Sequence, residues 1–140
     1  MIVGIASDHG GYTLKEQISD YLNRKNHTVK DFGTYSITSC DYPDYANLVC
    51  DAVEHNEVKY GILICGTGIG MSMVANRNPA IRAGLCKDTE TALLTRQHNN
   101  ANILCLGARV TDSDFIEAIV DTFLSTGFEG GRHEQRIKKF

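Results

Sequence analysis

Apolar runs alternate along the chain with segments in which apolar residues recur at helical spacing. The runs predict strands over 2–7, 28–32, 61–64, 82–86 and 102–106. The helical spacing, clear for Leu14, Ile18 and Leu22, predicts helices over about 12–25, 45–55, 71–75, 89–97 and 115–124, and a last basic helix that begins near Arg132. This alternation predicts an α/β fold, in which a five-stranded parallel Rossmann-like sheet forms the middle of a three-layer α/β/α sandwich.

The length and charge of the chain limit the classes of function that it can serve. Its 140 residues are enough for a single domain, residues 1–140, with a substantial core. The formal net charge is −3, with acidic and basic residues mixed along the sequence. No basic stripe indicates a nucleic-acid partner, and no long apolar stretch indicates a membrane partner.

The N-terminus and the cysteines indicate where the protein works. The run 1–6 is too short for a signal peptide and lacks a basic flank, so we interpret it as the first strand. The five cysteines are odd in number and widely spaced, and no Cys-x-x-Cys pair suggests a zinc site. We therefore expect free thiols, no bound metal and a reducing, cytoplasmic location.

A glycine-rich turn, Cys65-Gly66-Thr67-Gly68-Ile69-Gly70, directly follows the apolar run 60–64. Its glycines let the backbone turn tightly and aim successive N–H groups at one point. A thiol beside the positive end of the following helix favours the thiolate form. The turn therefore combines a reactive sulfur with anion-stabilising amides, which suits a substrate that carries negative charge or develops it in the transition state.

Structural explanations stand beside this functional one. An intracellular cysteine is usually a small core residue, and a glycine-rich turn is often only a tight connection. Known nucleotide motifs do not fit, because Met71 and Ser72 stand where a Walker loop needs lysine and then serine or threonine. Met71 also occupies the third glycine position of a dinucleotide fingerprint and the arginine position of a cysteine phosphatase loop. The turn alone leaves its role open.

Three polar segments follow the first, third and fifth predicted strands. They are Asp8-His9-Gly10-Gly11, the turn 65–70, and Gly107-Ala108-Arg109. Ligands of parallel α/β sheets bind beyond the carboxyl ends of the strands, so these segments should meet at one edge and form a site there. Asp8 also suits a simple N-cap, in which case His9 would merely be exposed.

A polar segment, 96–102, closes the helix that precedes the fifth predicted strand. Asn99 and Asn100 suit a helix C-terminus and a turn, so part of the segment is structural. His98 has no such structural reason and is a candidate functional residue.

Two arginines near the end of the chain form another candidate group. If a helix begins at Arg132, then Arg132 and Arg136 stand one turn apart on the same side. Two guanidinium groups on one face can hold a phosphate dianion through charge-assisted hydrogen bonds. An ordinary solvated basic tail is the alternative.

Five motifs occur together and in one order along the chain. They are Asp8-His9-Gly10-Gly11, Asp41-Tyr42-Pro43, the turn 65–70, Arg96-Gln97-His98-Asn99 and Gly130-Gly131-Arg132-His133-x-x-Arg136. In this combination the chain resembles ribose-5-phosphate isomerase type B, in the wider family that includes the galactose- and allose-6-phosphate isomerases. The resemblance covers essentially the whole chain.

The resemblance implies an aldose–ketose isomerase that works through an enediol without metal or organic cofactor. Cys65 would be the base that carries a proton between C1 and C2 of the sugar, with Thr67 assisting by its hydroxyl. Backbone amides would stabilise the developing enediolate oxygen. The loop residues concerned are Gly66, Gly68, Ile69 and Gly70.

The resemblance also implies roles in substrate binding and ring opening. His98 would open the sugar ring, helped by Asp8 and Tyr42. Asn99 would bind a sugar hydroxyl. The phosphate-binding residues would be His9, Arg109, Arg132 and Arg136.

The family places its active site between two subunits, which implies a homodimer or a dimer of dimers. His98 and the C-terminal arginines would then serve the partner's Cys65. The substrate would be a phosphorylated sugar, and the motifs do not distinguish a pentose from a hexose phosphate of the allose or galactose type. A non-catalytic sugar-phosphate sensor is a further alternative, although a retained Cys65 with His98 argues against it.

Overall fold

Five parallel strands form one sheet in the computed structural model, which describes all residues from 1 to 140. The strands are β1 (Ile2–Ser7), β2 (Thr28–Asp31), β3 (Tyr60–Cys65), β4 (Ala83–Leu85) and β5 (Ile103–Gly107). Their order across the sheet is β2-β1-β3-β5-β4. The predicted α/β class and the five-stranded parallel sheet are therefore confirmed.

Six α-helices connect and flank the strands. They are α1 (Tyr12–Arg24), α2 (Tyr42–Glu54), α3 (Ile69–Ala75), α4 (Thr89–Asn99), α5 (Ile116–Ser125) and α6 (Arg132–Ile137). Short 3-10 turns precede α1 and α5, at His9–Gly11 and Ser113–Phe115. None of the helices has the length and apolar character that a membrane span requires.

Each face of the sheet packs against its own helical layer. The side chains of β3 alternate, so Ile62 and Ile64 join the cluster that includes α1 and α5, whereas Leu63 and Cys65 join the cluster that includes α2 and α3. Burying a side chain such as Ile62 stabilises the fold by about 1.5–3 kcal/mol. Two cores on opposite faces give the predicted three-layer sandwich, and they fix the direction in which Cys65 points.

The carboxyl ends of β1, β3 and β5 meet at one edge of the sheet. The strand register pairs Ser7 with Ile64 and Cys65 with Gly107. The chain leaves β1 toward one side of the sheet to form β2 and later forms β3 on the other side, so a topological switch point lies between β1 and β3. Ligands bind at such points in open α/β sheets.

Some predicted boundaries differ from the observed ones. Helix α2 begins at Tyr42 rather than at residue 45, because Pro43 is compatible with the first turn of a helix. Helix α4 extends through Asn99, and Asn100 ends it in the left-handed conformation, with φ of 47°. Strand β4 keeps only three residues of the predicted 82–86.

Candidate functional site

Cys65 is the last residue of β3 and only 5 % of its surface is exposed. The backbone N–H of Gly68 donates a hydrogen bond to the Cys65 Sγ at 3.1 Å. Gly68 adopts a left-handed conformation, with φ of 75°, and a β carbon there would lie 2.6 Å from Leu85 Cδ1. Glycine is therefore required at 68, and the turn that it permits aims an amide at the sulfur.

The sulfur of Cys65 differs from the other buried thiols in its surroundings. Burial raises the pKa of Cys50 and of Cys86 to about 12, and it raises the pKa of Cys105 well above its usual value. Those three thiols are core residues. Cys65 is the cysteine whose sulfur accepts a backbone amide at the edge where ligands bind.

The loop after β1 lies against the loop after β3. The buried Asp8 carboxylate accepts a hydrogen bond from the Gly11 N–H at 3.1 Å, so Asp8 does cap a 3-10 turn. A β carbon on Gly10 would lie 3.3 Å from Asp8 Oδ1, 3.5 Å from Arg109 Nη2 and 3.5 Å from the Gly66 nitrogen. The capping role and the placement at the ligand edge therefore hold at the same time.

Arg109 extends from the loop after β5 over the glycine turn. Its backbone N–H donates to the Gly66 carbonyl at 2.9 Å, and a β carbon on Gly66 would lie 2.9 Å from Nη1 of the Arg109 guanidinium. The guanidinium forms no salt bridge within the chain. It thus presents an unneutralised positive charge beside Cys65.

Tyr42 and His9 complete this first group of residues. The Tyr42 ring packs on the glycine turn, where a β carbon on Gly70 would lie 2.7 Å from Cζ and 3.1 Å from the hydroxyl. The Nδ1 of His9 accepts the Cys40 N–H at 3.2 Å. In the neutral imidazole the proton is then on Nε2, which leaves His9 a free donor for an anion.

Thr67 and Ile69 form the exposed rim of the turn. The Thr67 hydroxyl accepts the Ile69 N–H at 3.3 Å. Ile69 is 47 % exposed, and with Leu85 and Val110 it lines a mostly apolar pocket of about 330 Å³ next to the turn. We call Asp8, His9, Tyr42, the turn 65–70 and Arg109 the thiol group.

A second group lies around the ends of α4 and α6. A shallow pocket of about 260 Å³ is lined by His98, Asn99, His133, Arg136, Ile137 and Phe140. Arg132 and Arg136 are exposed, stand one turn apart on α6 and form no salt bridge. We call these residues, with Arg132, the histidine group.

Within one chain the two groups lie at opposite ends of the strands. Arg96, two residues before His98, donates from Nη2 to the Tyr60 hydroxyl at 2.9 Å. Tyr60 begins β3 and Cys65 ends it. Five steps along a strand span about 16 Å at roughly 3.3 Å per residue, so the segment around His98 and the Cys65 of the same chain lie near opposite ends of β3.

Arg96 itself is structural, although it belongs to one of the five motifs. Its guanidinium is buried and donates to the Thr126 carbonyl at 3.1 Å and to the Asn100 side chain at 3.1 Å. Burial lowers its pKa, and it stacks over the Tyr60 ring at 4.8 Å from the centroid. Arg96 therefore holds the end of α4 against the sheet.

His133 is the one polar residue of this group for which the sequence predicts no role. It is buried, and its ring stacks on the ring of His98. His98, Glu129 and His133 are also the one set of side chains whose donor atoms, within 4.8 Å of one another, could hold a metal ion. The two imidazole planes are nearly parallel, so their in-plane lone pairs do not converge on one point, and the arrangement suits stacking better than shared ligation.

Comparison with known proteins places the chain in a family. The model of the family described as Ribose/Galactose Isomerase matches residues 3–140. Ribose-5-phosphate isomerase B of Escherichia coli is 44 % identical over 136 residues, which is 97 % of this chain and 91 % of that protein.

Solved structures agree in fold over nearly the full chain. Ribose-5-phosphate isomerase B of Clostridium thermocellum matches with a TM-score of 0.98 and 50 % identity, covering 99 % of this chain and 94 % of that one. The Mycoplasma genitalium enzyme, solved with bound ribulose-5-phosphate, matches with a TM-score of 0.93 and 48 % identity, covering 99 % and 92 %. The chain therefore belongs to the ribose/galactose isomerase family.

Proposed function

We propose that this protein interconverts ribose 5-phosphate and ribulose 5-phosphate through an enediolate, with Cys65 as the general base. The observation that carries the proposal is the Cys65 sulfur held at 3.1 Å from the Gly68 amide in the turn. A relative that binds ribulose-5-phosphate, 48 % identical, supports the choice of substrate.

The position of the thiol in the turn supports a proton transfer between two carbons of the substrate. The Cys65 thiolate removes the proton from C2 of the open-chain aldose, and the electron pair moves so that the C1 carbonyl oxygen becomes the enediolate oxygen. The proton then returns from the Cys65 thiol to C1, while the proton of the C2 hydroxyl passes to the C1 oxygen, so that C2 becomes the ketone and C1 carries the hydroxyl. A positioned base of this kind contributes about two to four orders of magnitude in rate.

The turn also supplies the groups that stabilise the developing charge. Three amides of the turn, those of Gly66, Thr67 and Gly70, have no hydrogen-bond partner within the chain and are available to an enediolate oxygen. The Thr67 hydroxyl, at the rim of the turn, adds a donor. The donors of the turn would thus stabilise the enediolate.

Ring opening and phosphate binding would use residues of both groups. His98, with Asp8 and Tyr42, would move the protons that break the ring bond of the cyclic sugar, and Asn99 would bind a sugar hydroxyl. The phosphate would be bound by His9, Arg109, Arg132 and Arg136, none of which has a carboxylate partner within the chain.

A homodimer, alone or within a dimer of dimers, would bring the two groups together. Both groups are flanked by exposed apolar side chains, with Ile69 and Val110 beside the thiol group and Phe140, 82 % exposed, beside the histidine group. In a two-fold dimer, contact between the thiol group of one chain and the histidine group of the other occurs twice. Each dimer would then hold two complete sites.

A substrate panel and one pair of variants test this proposal. Ribose 5-phosphate, allose 6-phosphate and galactose 6-phosphate are assayed for aldose–ketose conversion, and turnover of the pentose phosphate is expected to be fastest. Cys65→Ala should lose about a hundredfold or more in kcat, whereas Cys86→Ala, in the core, should lose stability and keep its chemistry. Faster turnover of a hexose phosphate would show that the hexose phosphate is the substrate, and binding without turnover would show that the protein is a sensor. A fully active Cys65→Ala would show that Cys65 is not the general base.

A further inference from the structure

His98 lies face to face with another histidine. The rings of His98 and His133 have centroids 4.2 Å apart and planes inclined by only 14°. His133 is 7 % exposed, whereas His98 is half-buried at the last turn of α4. The stack therefore packs the half-buried ring of His98, at a helix end, against the buried ring of His133.

Glu129 connects both histidines. Its carboxylate lies 3.4 Å from His133 Nε2, which orients the His133 ring. Its backbone N–H donates to the Gln97 carbonyl at 3.1 Å, one residue before His98. The segment before α6 is thus bound to the end of α4 at the same place where the rings stack.

We propose that His133, oriented by Glu129, is a positioning residue that holds the His98 imidazole in the plane required for ring opening. This inference rests on the proposed role of His98. An imidazole at a helix end has two freely rotating side-chain bonds, and a contact over its whole face selects one orientation. A catalytic group displaced by about 1 Å can lose about a hundredfold in rate, so a support of this kind has a measurable effect.

The two directions of the reaction separate a positioning role from a general structural one. Ribose 5-phosphate is mainly a closed ring, but ribulose 5-phosphate has none, because its phosphate occupies the oxygen that would close it. Loss of ring opening therefore lowers kcat for the aldose and not for the ketose, whose open-chain product can close in solution. The comparison uses kcat, because the equilibrium constant fixes the ratio of the two kcat/KM values.

The variants His133→Ala and His133→Phe form the test. His133→Ala removes the ring, and kcat for ribose 5-phosphate should fall about tenfold to a hundredfold while kcat for ribulose 5-phosphate changes less than about threefold. His133→Phe keeps an aromatic plane and should stay within about threefold of the parent in both directions. Glu134→Ala, on the same helix and paired only with Lys138, is the matched control and should change neither.

Several results would overturn the inference. An equal fall of kcat in both directions, or a His133→Phe variant as impaired as His133→Ala, would make His133 a structural residue only. A rise of KM with unchanged kcat would mean that the stack positions the arginines of α6 instead. If His133→Ala does not fold, His133→Gln replaces it as the ringless variant.

A spectroscopic measurement keeps the inference separate from the proposed function. The ring-proton NMR signals of His98 should move on His133→Ala and remain near their parental positions on His133→Phe, whether or not the protein turns over a pentose phosphate. Unmoved signals in His133→Ala would refute the stack itself. A parent that does not convert ribose 5-phosphate would instead refute the proposed function.

Discussion

Mixing two inactive variants tests whether the working site is shared between chains. Cys65→Ala disables the thiol group, and His98→Ala disables the histidine group. Because roughly 16 Å of strand separate the two edges within one chain, each group should work only with its counterpart on the partner chain. Each variant alone should therefore form dimers in which both sites carry one defect.

The size of the rescue follows from two-fold symmetry. Random exchange between equal amounts of the two variants makes about half of the dimers hybrids. A hybrid has one site that carries both defects and one site that carries neither. About a quarter of all sites should thus be intact, and activity should rise to about a quarter of the parental activity at equal protein concentration.

The assay follows ribulose 5-phosphate formation before and after the variants are mixed. Differently tagged chains, recovered together after mixing, establish that subunits have exchanged. A mixture of Cys65→Ala with a second sample of Cys65→Ala is the control and should stay inactive. If exchange is demonstrated and activity does not return, Cys65 and His98 serve the same chain, and the dimer has no catalytic role.

Two further substitutions test the predicted phosphate-binding residues and a buried ion pair. Arg136→Ala should raise KM for phosphorylated sugars about tenfold to a hundredfold, because it removes one charge-assisted contact. Unphosphorylated sugars should be poor substrates for parent and variant alike, and an unchanged KM for the phosphorylated sugar would show that Arg136 does not bind the phosphate. Lys15 is fully buried, and although burial lowers its pKa, hydrogen bonds to Asp31 and Glu16 outweigh this and leave the pKa raised. The contribution of Lys15 to the free energy of unfolding should be complete below about pH 10.4 and should decline as the pH rises through its folded-state pKa. Lys15→Met should be less stable than the parent by about 1–3 kcal/mol near neutral pH in denaturant unfolding, and its stability should lack this decline at high pH. An equal decline in both proteins would refute the assignment.

The elements with strong hydrophobic patterns could be predicted closely. Strand β1 was predicted at its observed limits, since its apolar run is buried from Val3 onward. Helix α1 ended one residue before the predicted limit, at Arg24. Helix α2 was less well predicted, because its first turn, with Tyr42 and Pro43, has no apolar periodicity. That turn matters, since it brings the Tyr42 ring onto the glycine turn.

The candidate site could be predicted in part, for a physical reason. Residues at the ends of parallel strands must share an edge, so the meeting of Asp8, Cys65 and Arg109 follows from the alternation of strands and helices. The stack of His133 on His98 follows no such rule, because it depends on how α6 packs against α4. A buried histidine in a polar segment leaves no pattern in the sequence that distinguishes it from its exposed neighbours.

The charges of the two groups are those that an acidic protein would need in order to bind a phosphate dianion. The net charge is −3, and some cations outside the site, such as Lys15 and Lys30, are paired with carboxylates, whereas others, such as Lys87, are not. Arg109, Arg132 and Arg136 have no such partner and keep their full positive charge for a ligand. In a two-fold dimer the first of these would come from one chain and the other two from its partner. A single phosphate would then neutralise charge from both chains, so that recognition of the substrate and completion of the catalytic site would depend on the same subunit contact.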